Sequence, residues 1–291
     1  MRFGLIAHRL HRQGSDSSLL RWLQAAEPAV RALNLGLHAV GGTYDAVERY
    51  GLLDQFPGLV RYPNGHSGGL TRLVSHIVGG VHPGQALDGV IFLIDPVDPS
   101  SLFPEAQALK RQCVIHGKPF LATEAAALEW LHIEALQAGL PIAQAAGAAL
   151  LQAIPTQVVA LIAHDALKAQ MVEFAGTHFD LLSRFVERVA TGTTGNLLNE
   201  MAWSRGWPRG TPWVTPYRSG PLGGDAQIAE RVLDGSCHKV IFFEDPHVAR
   251  QHEADIQLME RAVCSASERT TCMNSPAMAW RWAAALGLVA G

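Results

Sequence analysis

The sequence carries no strong charge of either sign. Its 23 Lys and Arg are nearly matched by 26 Asp and Glu, for a formal net charge of -3 over 291 residues, and no basic run or patch stands out. A partner recruited by phosphate-backbone electrostatics is therefore excluded. Cysteine is scarce: Cys113, Cys237, Cys264 and Cys272 form no C-x-x-C pair. That argues against a disulfide framework and for free thiols in a reducing compartment. The 13 histidines include no H-E-x-x-H pattern. His8 and His11 do stand at i, i+3, yet ordinary surface or core histidines are the reading, and no metal is expected. The start of the chain lacks a charged leader, a long apolar segment and a small-residue cleavage site, so no signal peptide is expected. The charge-free stretch from Ala135 to Ala163 is broken by Pro141 and Pro155 and dotted with Gln137, Gln144, Gln152 and Gln157. It reads as a short alanine-rich helix, a break and a buried strand rather than a membrane span. What remains is a globular protein with 48% hydrophobic residues, expected to be cytoplasmic, without nucleic-acid or membrane partners.

What the chain does have is an internal echo. Gly4-Leu5-Ile6-Ala7-His8 recurs as Ala160-Leu161-Ile162-Ala163-His164, and Val40-Gly41-Gly42-Thr43 as Ala190-Thr191-Gly192-Thr193. Gly65-His66-Ser67-Gly68-Gly69 recurs as Gly220-Pro221-Leu222-Gly223-Gly224, and Val90 to Pro96 as Val240 to Pro246. Four signals in one order indicate a tandem duplication, with domains at 1–138 and 158–291 and an alanine-rich linker at 139–157. Within each half, short apolar strands (Val158 to Ala163, Val186 to Ala190, Val240 to Phe243) alternate with helical periodicity (Met171 to Phe185, Asn196 to Trp203, Ile256 to Val263). This predicts an α/β fold, a Rossmann-like parallel sheet sandwiched by helices and duplicated in tandem. Ligands bind at the carboxyl ends of such strands, and His164, Thr191 and Asp245 follow strand ends.

Four stretches of the second half carry chemistry. His164-Asp165-x-x-Lys168 reads as a helix opening with His164 and Lys168 on one face, the lysine adding charge toward an anion; a solvated lysine behind a capping Asp is the plain alternative. Thr191-Gly192-Thr193-Thr194-Gly195 places three hydroxyls and two glycines between a strand and a helix, where they can donate to phosphate oxygens, without the Walker A ending; a plain turn with a threonine cap remains open. Ser219-Gly220-Pro221-Leu222-Gly223-Gly224-Asp225 is a turn whose backbone can approach a ligand closely and which ends on a carboxylate. Asp245-Pro246 closes the third strand, with His252 and Asp255 in the next loop and Arg261 further along, either orienting one of these acids or lying on the surface. A phosphate cradle, a carboxylate base at Asp225 and an imidazole at His252 suit proton abstraction beside a carbonyl.

These motifs, across 158–275, resemble the methylglyoxal synthase family: A-L-I-A-H-D-x-x-K at 160–168, A-T-G-T-T-G at 190–195, S-G-P-L-G-G-D at 219–225, I-F-F-x-D-P at 241–246 and H-x-x-D at 252–255. The resemblance implies conversion of dihydroxyacetone phosphate to methylglyoxal and inorganic phosphate, without a cofactor, on the family's Rossmann-like fold and in a hexamer. It implies that Asp225 removes the proton, that His252 holds the substrate oxygens and relays protons, and that His164 contacts substrate nearby. Lys168, Thr191, Gly192, Thr193, Thr194, Ser219 and Gly220 would hold the phosphate, with Asp165, Asp245, Asp255 and Arg261 as a supporting charged network. Two fused domains per chain would make a homo-trimer a pseudo-hexamer.

The chain departs from the family pattern at Glu244, where a Trp is usual, and at Glu253-Ala254. Its connection from Gly195 to Ser219 is longer and carries Trp203, Trp207 and Trp213, and the family's C-terminal tail after Ser275-Pro276 is expected to be missing. In the first half Leu70 takes the place of Asp225, Arg9 of Asp165, Leu102 of His252 and Tyr44 of one threonine, while Glu105 and Arg111 can stand for Asp255 and Arg261. That half is expected to be catalytically dead, a packing or regulatory partner. The competing reading of the whole chain is a binder of anionic metabolites that needs no base, like the regulatory domain of carbamoyl phosphate synthetase.

Overall fold

The computed structural model describes residues 1–95, 98, 104–247 and 249–290, and within them the side chains of all but 221, 249–253, 255 and 290. The chain divides into two compact units, Met1–Ala146 and Gly147–Gly291. The first runs β1 (Arg2–Ala7), α1 (Ser18–Ala32), β2 (Gly36–Val40), α2 (Gly41–Arg49), β3 (Leu59–Tyr62), α3 (Gly69–Ile77), β4 (Gly89–Leu93), α4 (Pro104–Ile115), β5 (Phe120–Leu121) and α5 (Glu124–Gln137). The alanine-rich stretch folds as α6 (Ile142–Ala153), inside which the division falls. The second unit runs β6 (Val158–Ala163), α7 (Lys168–Thr177), α8 (Phe179–Ser183), β7 (Glu187–Ala190), α9 (Gly192–Ser204), β8 (Thr215–Pro216), α10 (Gly224–Leu233), β9 (Lys239–Phe243), α11 (Ala249–Ser265), β10 (Thr271–Met273) and α12 (Pro276–Ala290).

Each unit is a five-stranded parallel sheet, in order β3-β2-β1-β4-β5 in the first and β8-β7-β6-β9-β10 in the second. The two orders are one plan, and the expected α/β architecture of parallel sheets between helices is what the chain forms. β6 shows why: all six of its residues are buried, as a parallel strand covered on both faces requires. Val158, Ala160 and Ile162 point to one face and pack with Val240 and Phe242 against Ile228, Val232, Met259 and Val263 of α10 and α11. On the other face lie Val159, Leu161 and Ala163, also buried. Because the chain passes from β6 first to β7 on one side and later to β9 on the other, the sheet has its switch point beside β6, where a crevice opens at the carboxyl ends.

The helical periodicity from Met171 to Phe185 belongs to two helices, α7 and α8, interrupted at His178. Ser275-Pro276 opens α12, whose Trp280 ring meets Phe174 and His178 edge-on, at centroid distances of 5.6 and 4.9 Å. The long connection after α9 is a packed element. Asn199 donates to the Val214 carbonyl at 3.0 Å and accepts from the N–H groups of Trp213 and Val214 at 2.8 and 2.9 Å. Arg188 donates to the carbonyls of Trp213 and Phe185 at 2.6 and 2.8 Å and lies over the Trp213 ring, which is 1% exposed. These bonds deliver the chain to β8, an edge strand of two residues whose neighbour Tyr217 donates its N–H to Ala190 at 2.8 Å. Among the described residues no helix is long and apolar enough to cross a membrane.

Candidate active site

Three segments converge at the carboxyl ends of β6 and β7. Beyond β6 the chain does not enter a helix at once: His164 is extended (φ -63°, ψ 157°) and Asp165–Leu167 form a 3-10 turn before α7 starts at Lys168. The shared helix face expected for His164 and Lys168 is therefore not formed, because the strand's extended backbone persists through His164. The turn nevertheless folds Lys168 back, and its Nζ pairs with the Asp165 carboxylate. The lysine side chain is 19% exposed and that of Asp165 89%, so the acid sits at the mouth.

The threonine segment is not a loop either. α9 begins at Gly192, with Thr191 as its cap, so Thr193 and Thr194 are first-turn residues whose N–H groups have no intrahelical acceptor. The Gly192 N–H goes instead to the Arg218 carbonyl at 2.9 Å, which holds the start of α9 against the third segment. Thr191 Oγ1 donates to Thr194 Oγ1 at 3.4 Å, and Thr194 is 1% exposed; it shapes the turn from inside.

The third segment, 217–225, is fixed at both ends. Arg231 on α10 binds Glu187 at 2.8 Å and the Tyr217 hydroxyl at 3.3 Å, and the hydrogen bond to Glu187 holds its guanidinium pKa above the usual arginine range. The Arg218 N–H donates to Gln227 at 3.1 Å. A 3-10 turn at Gly220–Leu222 leads to Gly223 at φ 96°, the left-handed region that glycine enters without strain. The reversal presses Gly224 onto the Arg218 carbonyl oxygen, which a Cβ would overlap, and puts Asp225 in the first turn of α10, 7% exposed. A Cβ on Gly220 would lie 2.6 Å from Asp225 Oδ2, so the glycine gives the carboxylate its room.

The result is a cavity of about 240 Å³ lined by His164, Asp165, Lys168, Thr191, Thr193, Ser219, Gly220 and Asp225, with a floor of Ile162, Ala163 and Phe242. The floor residues were expected to be strand core; their place at the carboxyl ends of β6 and β9 is the signal that marks them. Phe242 meets the His164 ring edge-on at 5.0 Å. His164 Nδ1 accepts the Asp245 N–H at 2.8 Å, so the neutral ring carries its proton on Nε2. Asp245 thus acts through its backbone, while its carboxylate accepts the His247 N–H at 2.9 Å; it does not line the cavity. Gly192 and Thr194 support the wall without lining it, and Arg261 is exposed on α11, with its carbonyl bound by Ser265 at 2.9 Å. His252 and Asp255 belong to the first turns of α11 rather than to a loop, since the helix starts at Ala249; their side chains lie outside the described residues.

Strand register corrects one correspondence between the halves. Leu5 pairs with Ala39 as Leu161 pairs with Ala190, which sets Val40, Gly41, Gly42, Thr43 and Tyr44 against Thr191, Gly192, Thr193, Thr194 and Gly195. The motif match Gly-Gly-Thr to Thr-Gly-Thr is out by one residue, because a glycine pair can be matched either way. Tyr44 consequently stands at a glycine position, and the first half lacks the hydroxyls of Thr191 and Thr193.

No protein-family model matches the chain. Over 107 residues it is 41% identical to the methylglyoxal synthase of Clostridium beijerinckii, covering 37% of this chain and 82% of that protein. The chain belongs to the methylglyoxal synthase family. The synthase of Thermus thermophilus is 43% identical over 109 residues, 38% of this chain and 79% of that one. A crystal structure of methylglyoxal synthase from Elizabethkingia anophelis matches at 35% identity with a TM-score of 0.30, over 35% of this chain and 64% of the other. Each family match spans less than half of this chain.

Proposed function

We propose that the second unit is a carbon–oxygen lyase that converts dihydroxyacetone phosphate to methylglyoxal and inorganic phosphate. The observation that carries this reading is a buried carboxylate, Asp225, sharing one small cavity with Lys168, Thr191, Thr193 and Ser219, the donors an anion needs. Asp225 removes a proton from the hydroxymethyl carbon, and the electron pair moves into the carbonyl to form an enediolate. The Nε2 proton of His164 stabilises the charge developing on the substrate oxygens, a role that the family resemblance extends to His252. The enediolate then expels phosphate by cleavage of the carbon–oxygen bond, and the remaining enol tautomerises to methylglyoxal. Lys168 supports this step twice, by binding the dianion and by stabilising it as it leaves. The ion pair with Asp165 keeps the lysine at the mouth until a phosphate competes for it.

A coupled assay of phosphate and methylglyoxal release tests the reading. Turnover that vanishes in Asp225→Asn supports it; equal turnover in wild type and variant would sink it. Three chains assembled as a pseudo-hexamer complete the proposal, and a monomeric or dimeric mass in light scattering would remove that part alone.

A further inference from the structure

The first unit also has a cavity at the carboxyl ends of its central strands. It is larger, about 460 Å³ against about 240 Å³ in the second unit, and its lining has a different sign. His8 matches His164: each follows the central strand, and each donates its N–H to the last residue of the neighbouring strand, Leu93 or Phe243. Counting on from these histidines, Arg9 and Arg12 fall at the positions of Asp165 and Lys168. Leu70, after the left-handed Gly68 (φ 85°), falls at that of Asp225. Both acids of the second cavity are thus gone, the cation at the lysine position is kept, and one arginine is added.

Decay alone does not explain the arrangement of Arg12. Its guanidinium lies over the first turn of α2, where a Cβ on Gly42 would overlap it. The second unit has Thr193 at that position, so the change to glycine and the longer cation fit one another. The Arg12 guanidinium makes no hydrogen bond or ion pair with any described residue. Burial lowers its pKa, opposed by the field of Asp45 and reinforced by that of Arg49. A half-buried cation with no partner among the described residues is unfavourable, and an anion in the cavity would offset that cost. Arg9 is less available, since it pairs with Asp98 at 3.3 Å and its side chain is 64% exposed. Asp98 also faces His8 Nε2 at 3.3 Å, but among the described residues no carboxylate lines the cavity itself. Thr43, 1% exposed, accepts the Ala7 N–H at 3.0 Å and so locks α2 to the end of β1.

We propose that this cavity is a second anion site that holds a small phosphomonoester intact, with Arg12 as its principal contact and Arg9 at its mouth. Leu70 cannot accept a proton, so a ligand that binds here is not enolised. The volume admits a phosphomonoester larger than a triose phosphate. The site stands whether or not the second unit is a lyase.

The test titrates the full chain by calorimetry with glycerol 3-phosphate, which carries the phosphate but no carbonyl and cannot react. Two sites per chain are expected. Lys168→Ala should remove one and leave the other. Arg12→Gln should weaken the remaining site by about tenfold or more, the loss of one charge-assisted contact. Leu70→Asp, which places a carboxylate in the cavity without touching either arginine, should weaken the same site comparably, so the proposal stays testable if Arg12→Gln does not fold. A chain that binds nothing once Lys168 is replaced, or whose remaining site is indifferent to both first-unit substitutions, would overturn the proposal.

Discussion

The path from β6 to α10 and the path from β1 to α3 lay down one backbone and furnish it differently. Both turn through a left-handed glycine, Gly223 or Gly68, and both press the next glycine onto a carbonyl oxygen, that of Arg218 or Pro63. Both deliver the following side chain into a cavity at 7% exposure. In one unit that side chain is a carboxylate and in the other an isobutyl group. The turn is therefore a device for placing a side chain and is indifferent to its chemistry. Its constraints are backbone constraints, which explains how the base can be absent from one unit while the frame persists.

Exchanging the residue at this point should break the comparison most severely. Asp225→Asn is expected to lower kcat by about 10²–10⁴, the usual contribution of a positioned general base, as read by methylglyoxal release. Leu70→Asp in that background should not restore turnover, since Val40 and Gly42 stand where Thr191 and Thr193 supply hydroxyls. Next in size, Lys168→Ala should raise KM for the phosphorylated substrate about tenfold to a hundredfold, the cost of a charged hydrogen bond. A change confined to kcat would show that the lysine acts only on the leaving group.

The shared frame yields smaller, paired effects. Gly224→Ala and Gly69→Ala each force a Cβ onto a backbone carbonyl and should each cost on the order of 1–3 kcal/mol in urea unfolding. A neutral result in one unit would mean its turn relaxes where the other does not. The smallest effect concerns acid. Burial lowers the pKa of His11, His38, His76 and His132 in the first unit and of His178 and His238 in the second. Such groups bind fewer protons folded than unfolded, so their contribution is present above the ordinary value of 6.5 and is lost as pH falls from there through the lowered folded pKa. With more of them among the described residues, the first unit should loosen first below that pH, as followed by amide exchange resolved by unit. Simultaneous loosening would place the acid sensitivity elsewhere.

Much of this was legible in the residues. Runs such as Val158–Ala163 and Lys239–Phe243 announce buried parallel strands by hydrophobic continuity alone, and the Gly-Gly-Asp ending of the 219–225 turn marks the carboxylate. Backbone continuation was not legible. Glycine and threonine have low helix propensity, so Gly192 to Gly195 read as a loop, yet docking Gly192 onto the Arg218 carbonyl starts the helix there. His252 read as a loop residue for a similar reason, since the polar run Arg250-Gln251-His252-Glu253 shows no apolar periodicity of its own. The pins formed by Asn199 and by Arg231 with Glu187 could not be seen either, because each joins residues that only the fold brings together.

The two-residue strand β8 has a further consequence. Tyr217 turns its N–H inward to Ala190, and successive residues of a strand face opposite edges, so the residue before it presents its nitrogen to the outside. That residue is Pro216, which has no hydrogen to offer. A foreign strand approaching this margin of the sheet finds no donor there, and propagation by edge-to-edge pairing stops. The corresponding position of the first unit is Arg61, which keeps its amide and defends the margin only through a charged side chain paired with Asp45. One margin is closed covalently and the other by electrostatics, so salt, which screens the second defence, should leave the first untouched.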